Sequence, residues 1–391
     1  MNVLMGAESL RPPLTGIGNY TLNLLREYSR VPDVGATCCF DGHRFLPAAD
    51  LLAGLDSASA PSGGTRSGVL GYLRRTLRAA PLAYQLKSMV SNTRFKQGAQ
   101  RCRNFVYHEP NFILRPHDGP SVTTVHDLSF IRHPEFHPAE RVAWLSRQLP
   151  KTLARADFVI TDSEVVRREL ISQFNIPSAR VRAIYLGADE RFMPRSAQQS
   201  EAVLAKYGLV HGAYLAYVGT IEPRKGLSIL LDAWQRLSAD VRRAWPLVIA
   251  GAPGWLNADL MARIQVLRAK GEVKFLQFVS AQDLPFIYAG AKTFVFPSLY
   301  EGFGLPVLEA MASGVPVICA GGTSMAEFAE DACTLFEAGD AEALTTAISR
   351  LLEDSGLHER MVQVGQARAS QFSWARCARE TLQVYSEAAE T

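Results

Sequence analysis

Apolar and polar positions change period repeatedly along this chain. Asn2–Met5 is a short apolar run that predicts a buried strand. A Gly/Pro-rich loop spans Gly6–Gly18, and Asn19–Arg30 then carries Tyr20, Leu24, Leu25 and Tyr28 at helical spacing. Strand, glycine-rich loop and helix in that order open a doubly wound α/β unit. Further strands are predicted at Val122–Val125, Phe158–Thr161 and Val181–Tyr185. Helices are expected near Glu140–Ala154 and Glu164–Phe174, the second with Ser163 as its N-cap.

The polar stretch Gly187–Ser196, with Pro194, ends this first alternation. A second α/β run follows, with strands at Tyr214–Val218, Leu247–Ala250, Val273–Phe275, Thr293–Phe296 and Val317–Cys319. The expected organisation is a first domain over 1–190, a second over 191–371, and a last helix over 372–391 that starts near Trp374 with Ser373 able to cap it. A chain of 391 residues accommodates two such domains, because single cores stop growing near roughly 250–300 residues. No repeat at a solenoid period is present.

Composition narrows the partners. A net charge of +3 is too small to imply nucleic acid, and 48% hydrophobic residues is an ordinary globular value. The six cysteines form no CxxC pair and no zinc spacing, so reduced thiols in the cytoplasm are expected. Met1–Leu10 lacks the features of a signal peptide, and no apolar run reaches the ~18–20 residues of a membrane span. One local feature departs from the average. From Ser57 to His108 there is no Asp or Glu, and Tyr72–Arg103 mixes apolar and aromatic residues with Arg74, Arg75, Arg78, Lys87, Arg94, Lys96, Arg101 and Arg103. Two readings of that segment stay open: a solvated helix, or a basic amphipathic surface that meets the inner face of the cytoplasmic membrane peripherally.

The residues with chemical potential cluster after strands. Phe296 ends a strand, Gly302 and Gly304 loosen the following loop, and Pro306 opens a helix. Glu301 and Glu309 then point into the crevice at the carboxyl end of the sheet, beside helix N–H groups that suit phosphate. Alone, two such glutamates are read equally well as a turn cap and a solvated helix residue. The run Glu301-Gly-Phe-Gly-Leu-Pro-Val-Leu-Glu309 resembles the Glu-x7-Glu motif of the family 4 retaining glycosyltransferases. That resemblance implies that Glu301 contacts the donor sugar and Glu309 the ribose, with Gly302, Phe303, Gly304 and Leu305 lining the donor site.

A second constellation, Tyr217-Val-Gly219-Thr-Ile-Glu-Pro-Arg224-Lys225-Gly, also follows a strand and precedes a helix. An Arg fork, a Lys point charge and oriented amides suit a diphosphate, whereas a plain surface turn also carries such pairs. The same family resemblance covers this segment, and it implies that Arg224 and Lys225 hold the donor diphosphate beside Gly219. In Val122-Thr-Thr-Val-His126-Asp127, His126 stands just past a strand and so is expected to face the interdomain cleft, where a lone histidine is as readily structural; Asp127 is read as orienting the loop, and the resemblance implies that His126 contacts the donor sugar. Gly16 lies in Thr15-Gly-Ile-Gly, similar to the family's N-terminal glycine loop, where the backbone would approach sugar and phosphate. It is no dinucleotide fingerprint, since Thr21 stands where the third glycine belongs.

The resemblance implies a GT-B architecture: two facing Rossmann-like domains, the donor on the second, the acceptor on the first, and a C-terminal crossover helix. It implies a hexosyltransferase with no cofactor, and no Asp-x-Asp stands beside a strand end to bind a metal. Glu222-Pro-Arg-Lys and Leu247–Trp255 look most like bacterial surface-polysaccharide mannosyltransferases. The donor expected is therefore GDP-mannose or a GDP-deoxyhexose, and the acceptor an oligosaccharide on polyprenyl diphosphate, as for lipopolysaccharide O-antigen. A UDP-sugar-dependent transferase, a GT-B sugar-nucleotide epimerase and a non-catalytic sugar-nucleotide sensor are the alternatives.

Overall fold

The computed structural model describes residues 1–11, 14–58 and 91–391. Much of the basic amphipathic segment over 72–103 lies outside the described residues.

The first sheet has seven strands: β1 (Val3–Gly6), β2 (Thr37–Phe40), β3 (Phe45–Pro47), β4 (Val106–Glu109), β5 (Ser121–Val125), β6 (Phe158–Thr161) and β7 (Val181–Ala183), in the order β3-β2-β1-β4-β5-β6-β7. All neighbours are parallel except β2 and β3. The second sheet is wholly parallel: β8 (Leu215–Val218), β9 (Leu247–Ala250), β10 (Val273–Gln277), β11 (Thr293–Phe296), β12 (Val317–Ala320) and β13 (Thr334–Phe336), in the order β10-β9-β8-β11-β12-β13. Parallel strands covered on both faces read as continuous apolar runs, and β9, β11 and β12 are fully buried, Leu-Val-Ile-Ala, Thr-Phe-Val-Phe and Val-Ile-Cys-Ala.

Several expected boundaries shift. The first helix is Gly16–Tyr28, so Gly16 begins the helix rather than lying in the preceding loop, and a β-carbon built on it would meet open space. The strand expected to reach Tyr185 stops at Ala183. Four strands were not foreseen. β4 is Val-Tyr-His-Glu with every residue buried, so its polar half disguises a central strand. β2 holds Cys38 and Cys39; β3 and β13 have only three residues each. Ser163 and Ser373 cap the Glu164–Phe174 and Trp374–Glu390 helices by accepting from Val166 N and Arg376 N.

The Trp374–Glu390 helix returns to the first sheet. Its Tyr385 hydroxyl lies 2.9 Å from that of Tyr28 and 2.5 Å from His108 Nδ1, while His108 Nε2 lies 2.7 Å from Thr124 Oγ1. This buried polar chain ties the crossover helix to the first helix, β4 and β5. Burial pushes His108 down to about 3, so its ring is neutral there. Among the described residues of the basic segment, 91–99 is helical. Phe95 faces inward against Phe40, Phe45 and Tyr107, and Arg94, Lys96, Arg101 and Arg103 are exposed. No helix among the described residues is long and apolar enough to cross a membrane.

Candidate functional site

In open α/β sheets, ligands sit where strand order reverses, beyond the carboxyl ends of the strands. In the second domain that point lies between β8 and β11. The loop after β8 carries Gly219, Arg224 and Lys225; the loop after β11 carries Glu301 to Gly304. Topology alone therefore brings together two segments 76 residues apart.

Their side chains interlock. Lys225 Nζ donates to Glu301 Oε1 at 2.6 Å, and Arg224 approaches Glu301 Oε2 at 3.2 Å and Glu222 Oε1 at 3.0 Å. Ser298 Oγ also donates to Glu301, and Arg224 donates to the Tyr300 carbonyl. Burial alone would raise the Glu301 carboxyl; the guanidinium and ammonium outweigh it and hold the group below the usual range. Arg224 Nε is buried without a partner among the described residues. Two glycines start the adjoining helices in left-handed conformations: Gly226, φ +67°, before Leu227–Arg236, and Gly304, φ +108°, before Leu305–Ala312. Both helix N-termini thus open beside the charged cluster.

Phe303 packs inward, its ring stacked 4.4 Å from that of Phe328. Glu309 is partly buried one turn into its helix, near Tyr288, Asp189 and Arg191. Burial pushes its carboxyl up to about 7.

His126 stands just past β5. Both ring nitrogens are engaged inside the first domain: Nδ1 lies 2.8 Å from Asp162 Oδ2, and Nε2 lies 2.7 Å from the Pro110 carbonyl. Burial would lower its pKa, but the Asp162 carboxylate outweighs it and holds the ring above the ordinary histidine value. What His126 turns toward the second domain is its carbonyl, which meets Gly302. Asp127 accepts from Ser129 N and Oγ at 2.9 and 2.7 Å. Burial would raise its carboxyl; Arg224 across the cleft holds it low.

Other residues join the two halves. Tyr300 Oη donates to Glu169 and accepts from Leu128 N, and Trp255 Nε1 donates to the Phe136 carbonyl. Glu327 accepts from Glu164 N and Val165 N. Sequence reading passed over Asp162, Tyr300 and Glu327 as site residues. Tyr300 and Asp162 each adjoin a residue it singled out, Glu301 and Ser163, whereas Glu327 carries no local signal.

Known proteins resemble this chain both in sequence and in fold. The family model described as "Glycosyl transferases group 1" matches residues 204–368, and "Glycosyltransferase Family 4" matches residues 103–192. The chain is 34% identical over 385 residues to the O-antigen chain mannosyltransferase B of Escherichia coli, covering 98% of this chain and 99% of that one. The chain belongs to the family 4 glycosyltransferases. A D-inositol 3-phosphate glycosyltransferase of Salinispora tropica is 30% identical over 289 residues, 69% of this chain and 59% of that one. Among solved structures, Anabaena HepE in complex with UDP-glucose has a TM-score of 0.71 at 20% identity, covering 99% of this chain and all, 100%, of the other. WaaG, a glycosyltransferase involved in lipopolysaccharide biosynthesis, has a TM-score of 0.70 at 14% identity, covering 98% and 99%. The glycosyltransferase therefore has the GT-B fold, two parallel-sheet domains with a C-terminal crossover helix.

Proposed function

We propose that this glycosyltransferase is a retaining, metal-independent mannosyltransferase. It takes mannose or a related deoxyhexose from a GDP-linked donor and extends a growing, polyprenyl-diphosphate-linked surface polysaccharide such as lipopolysaccharide O-antigen. The observation that carries this reading is the near full-length likeness to an Escherichia coli enzyme named as an O-antigen chain mannosyltransferase.

The geometry suits the chemistry. The donor diphosphate would lie over the Leu227–Arg236 and Leu305–Ala312 N-termini, with Arg224 and Lys225 as its counter-charges. Glu301 holds both cations in place before the donor arrives. On binding, the Glu301 carboxylate turns to the sugar hydroxyls and Lys225 to the phosphate. The acceptor hydroxyl oxygen forms a bond to the anomeric carbon on the face that the diphosphate leaves. The carbon–oxygen bond to the diphosphate breaks, and the leaving phosphate oxygen takes the acceptor's proton. Charge develops on that oxygen, where preorganised cations act most strongly.

Incubation with GDP-mannose, GDP-deoxyhexoses and UDP-sugars, with and without acceptor, tests the reading. Acceptor-dependent GDP release and a product with the donor's α-configuration are expected. Faster turnover of a UDP-sugar would overturn the donor assignment, and a new sugar nucleotide formed from donor alone would indicate an epimerase. The enzyme would act at the cytoplasmic membrane face. Binding to liposomes that rises with anionic lipid and falls with salt is expected, at roughly 1 kcal/mol per cation near the surface. Indifference to anionic liposomes at low salt would remove it.

A further inference from the structure

The Ser324–Ala329 helix belongs to the second domain, yet its Glu327 carboxylate reaches the first. Oε1 accepts from Glu164 N and Oε2 from Val165 N, both at 2.8 Å, and the Tyr185 hydroxyl also donates to Oε1. These amides open the Glu164–Phe174 helix, where N–H groups have no partner within the helix and the dipole favours an anion. Ser163 already satisfies Val166 N from within the first domain. Glu327 completes the same cap from across the cleft.

Both ends of this contact lead to the proposed reaction centre. On the donor side, Ser324 Oγ donates to the Glu301 carbonyl at 2.6 Å, so the helix bearing Glu327 is stitched to the loop bearing Glu301. On the acceptor side, Asp162 immediately precedes the Ser163 cap and holds His126 Nδ1 at 2.8 Å. We propose that Glu327 is a positioning residue: by capping the Glu164–Phe174 helix from the other domain, it sets the Glu301 loop against His126 for transfer. The proposal rests on the reading that Glu301 acts at the donor sugar.

The physical reason is conditional satisfaction. With the domains apart, the carboxylate and both amides turn to water. With the domains together, they form two charge-assisted hydrogen bonds, so the contact exists only in the closed arrangement and biases the protein toward it. A cap made within one domain would add stability but no such bias.

The test compares wild type with Glu327→Ala and Glu327→Gln by amide hydrogen exchange, GDP binding and steady-state kinetics. Without any donor, Glu327→Ala should speed exchange at Glu164 and Val165 by about tenfold or more, the size expected when charge-assisted bonds are lost. The Kd for GDP, read on the second domain, should stay within about twofold, which also reports that the variant is folded. The kcat should fall by about tenfold or more, since closure completes the site. Glu327→Gln keeps one acceptor oxygen and should lie between on both readouts. Unchanged exchange at Glu164 and Val165 would overturn the contact. Faster exchange with wild-type kcat would make Glu327 a stabilising cap only and overturn the positioning role. The kcat is read with whichever sugar nucleotide the wild type turns over, and the Kd with that donor's nucleoside diphosphate where it is not GDP, so failure of the GDP-mannose assignment is a separate result.

Discussion

The carbonyl oxygen of His126 stands 1.8 Å from where a β-carbon on Gly302 would sit, with the carbonyl carbon at 2.8 Å and Asp127 Cβ at 3.1 Å. Backbone atoms cannot swing away as a flexible side chain can, so only glycine lets the β11 loop lie against the end of β5. Gly302→Ala should hold the two domains apart by a fraction of a methyl diameter. Turnover should fall by on the order of 10²-fold, the effect of about 1 Å of misplacement, while circular dichroism stays native. Kinetics on a variant with a wild-type spectrum make the measurement. Wild-type turnover would show that this approach is no part of the catalytic cycle.

Arg224→Ala and Lys225→Ala should each lower kcat/KM by on the order of 10²–10³, the size of one lost transition-state charge contact. A loop position suggests no effect on stability, but burial changes that expectation. Arg224 is buried, and Glu301 has its carboxylate held by both cations. Removing a partner from a buried pair destabilises by about 3–5 kcal/mol. The sign with pH follows from Glu301, whose carboxyl is held below its unfolded value. That stabilisation is complete above the unfolded pKa and is lost as pH falls through the lower folded value. The melting difference between wild type and Lys225→Ala should therefore persist at pH 7 and shrink in acid below the usual carboxylate range.

The second domain was largely legible in sequence because its strands are continuous apolar runs that follow one another at regular spacing. The first was less so. In β4, His108 and Glu109 are buried polar residues satisfied by Tyr385, Thr124, Tyr107 and Arg115; a polar Val-Tyr-His-Glu run does not read as a buried strand, and no local pattern announces Tyr385, 277 residues away. Arg224, Lys225, Glu301 and the adjoining glycines could be named because each lies in a contiguous motif after a strand. Their mutual ion pairs could not, because nothing in either motif fixes the approach of β8 to β11. His126 was expected to face the interdomain cleft and contact the donor sugar. The structure gives both ring nitrogens to Asp162 and Pro110, residues of the loops after β6 and after β4.

Activity should persist in excess EDTA. Arg224, Lys225 and two helix N-termini supply the positive field that a diphosphate leaving group requires, and neither chelation nor dialysis removes them. Turnover measured before and after chelation decides the point. Loss of activity restored by Mg²⁺ or Mn²⁺ would require a metal-bound phosphate in place of this scheme.

Glu309 supplies the pH dependence. Burial pushes its carboxyl up to about 7, opposed by the Tyr288 hydroxyl, reinforced by Asp189 and opposed again by Arg191. The folded protein therefore binds this proton more tightly than the unfolded chain does. Stability should fall with rising pH between the unfolded carboxylate range and about 7 and then level off. Glu309→Gln should remove that slope from a melting series. If Glu309 accepts hydrogen bonds from the donor ribose, only its ionised form does so fully. From pH 8 to pH 6 the ionised fraction drops by about tenfold, and the Kd for GDP should weaken by up to the same factor. The Gln variant should bind more weakly than wild type at pH 8, with a Kd that no longer changes over this range. Calorimetric titration of GDP at three pH values separates these outcomes. A wild-type Kd that is flat between pH 6 and pH 8, and equal to that of Glu309→Gln, would take Glu309 out of the donor site and leave it a partly buried acid of the Leu305–Ala312 helix.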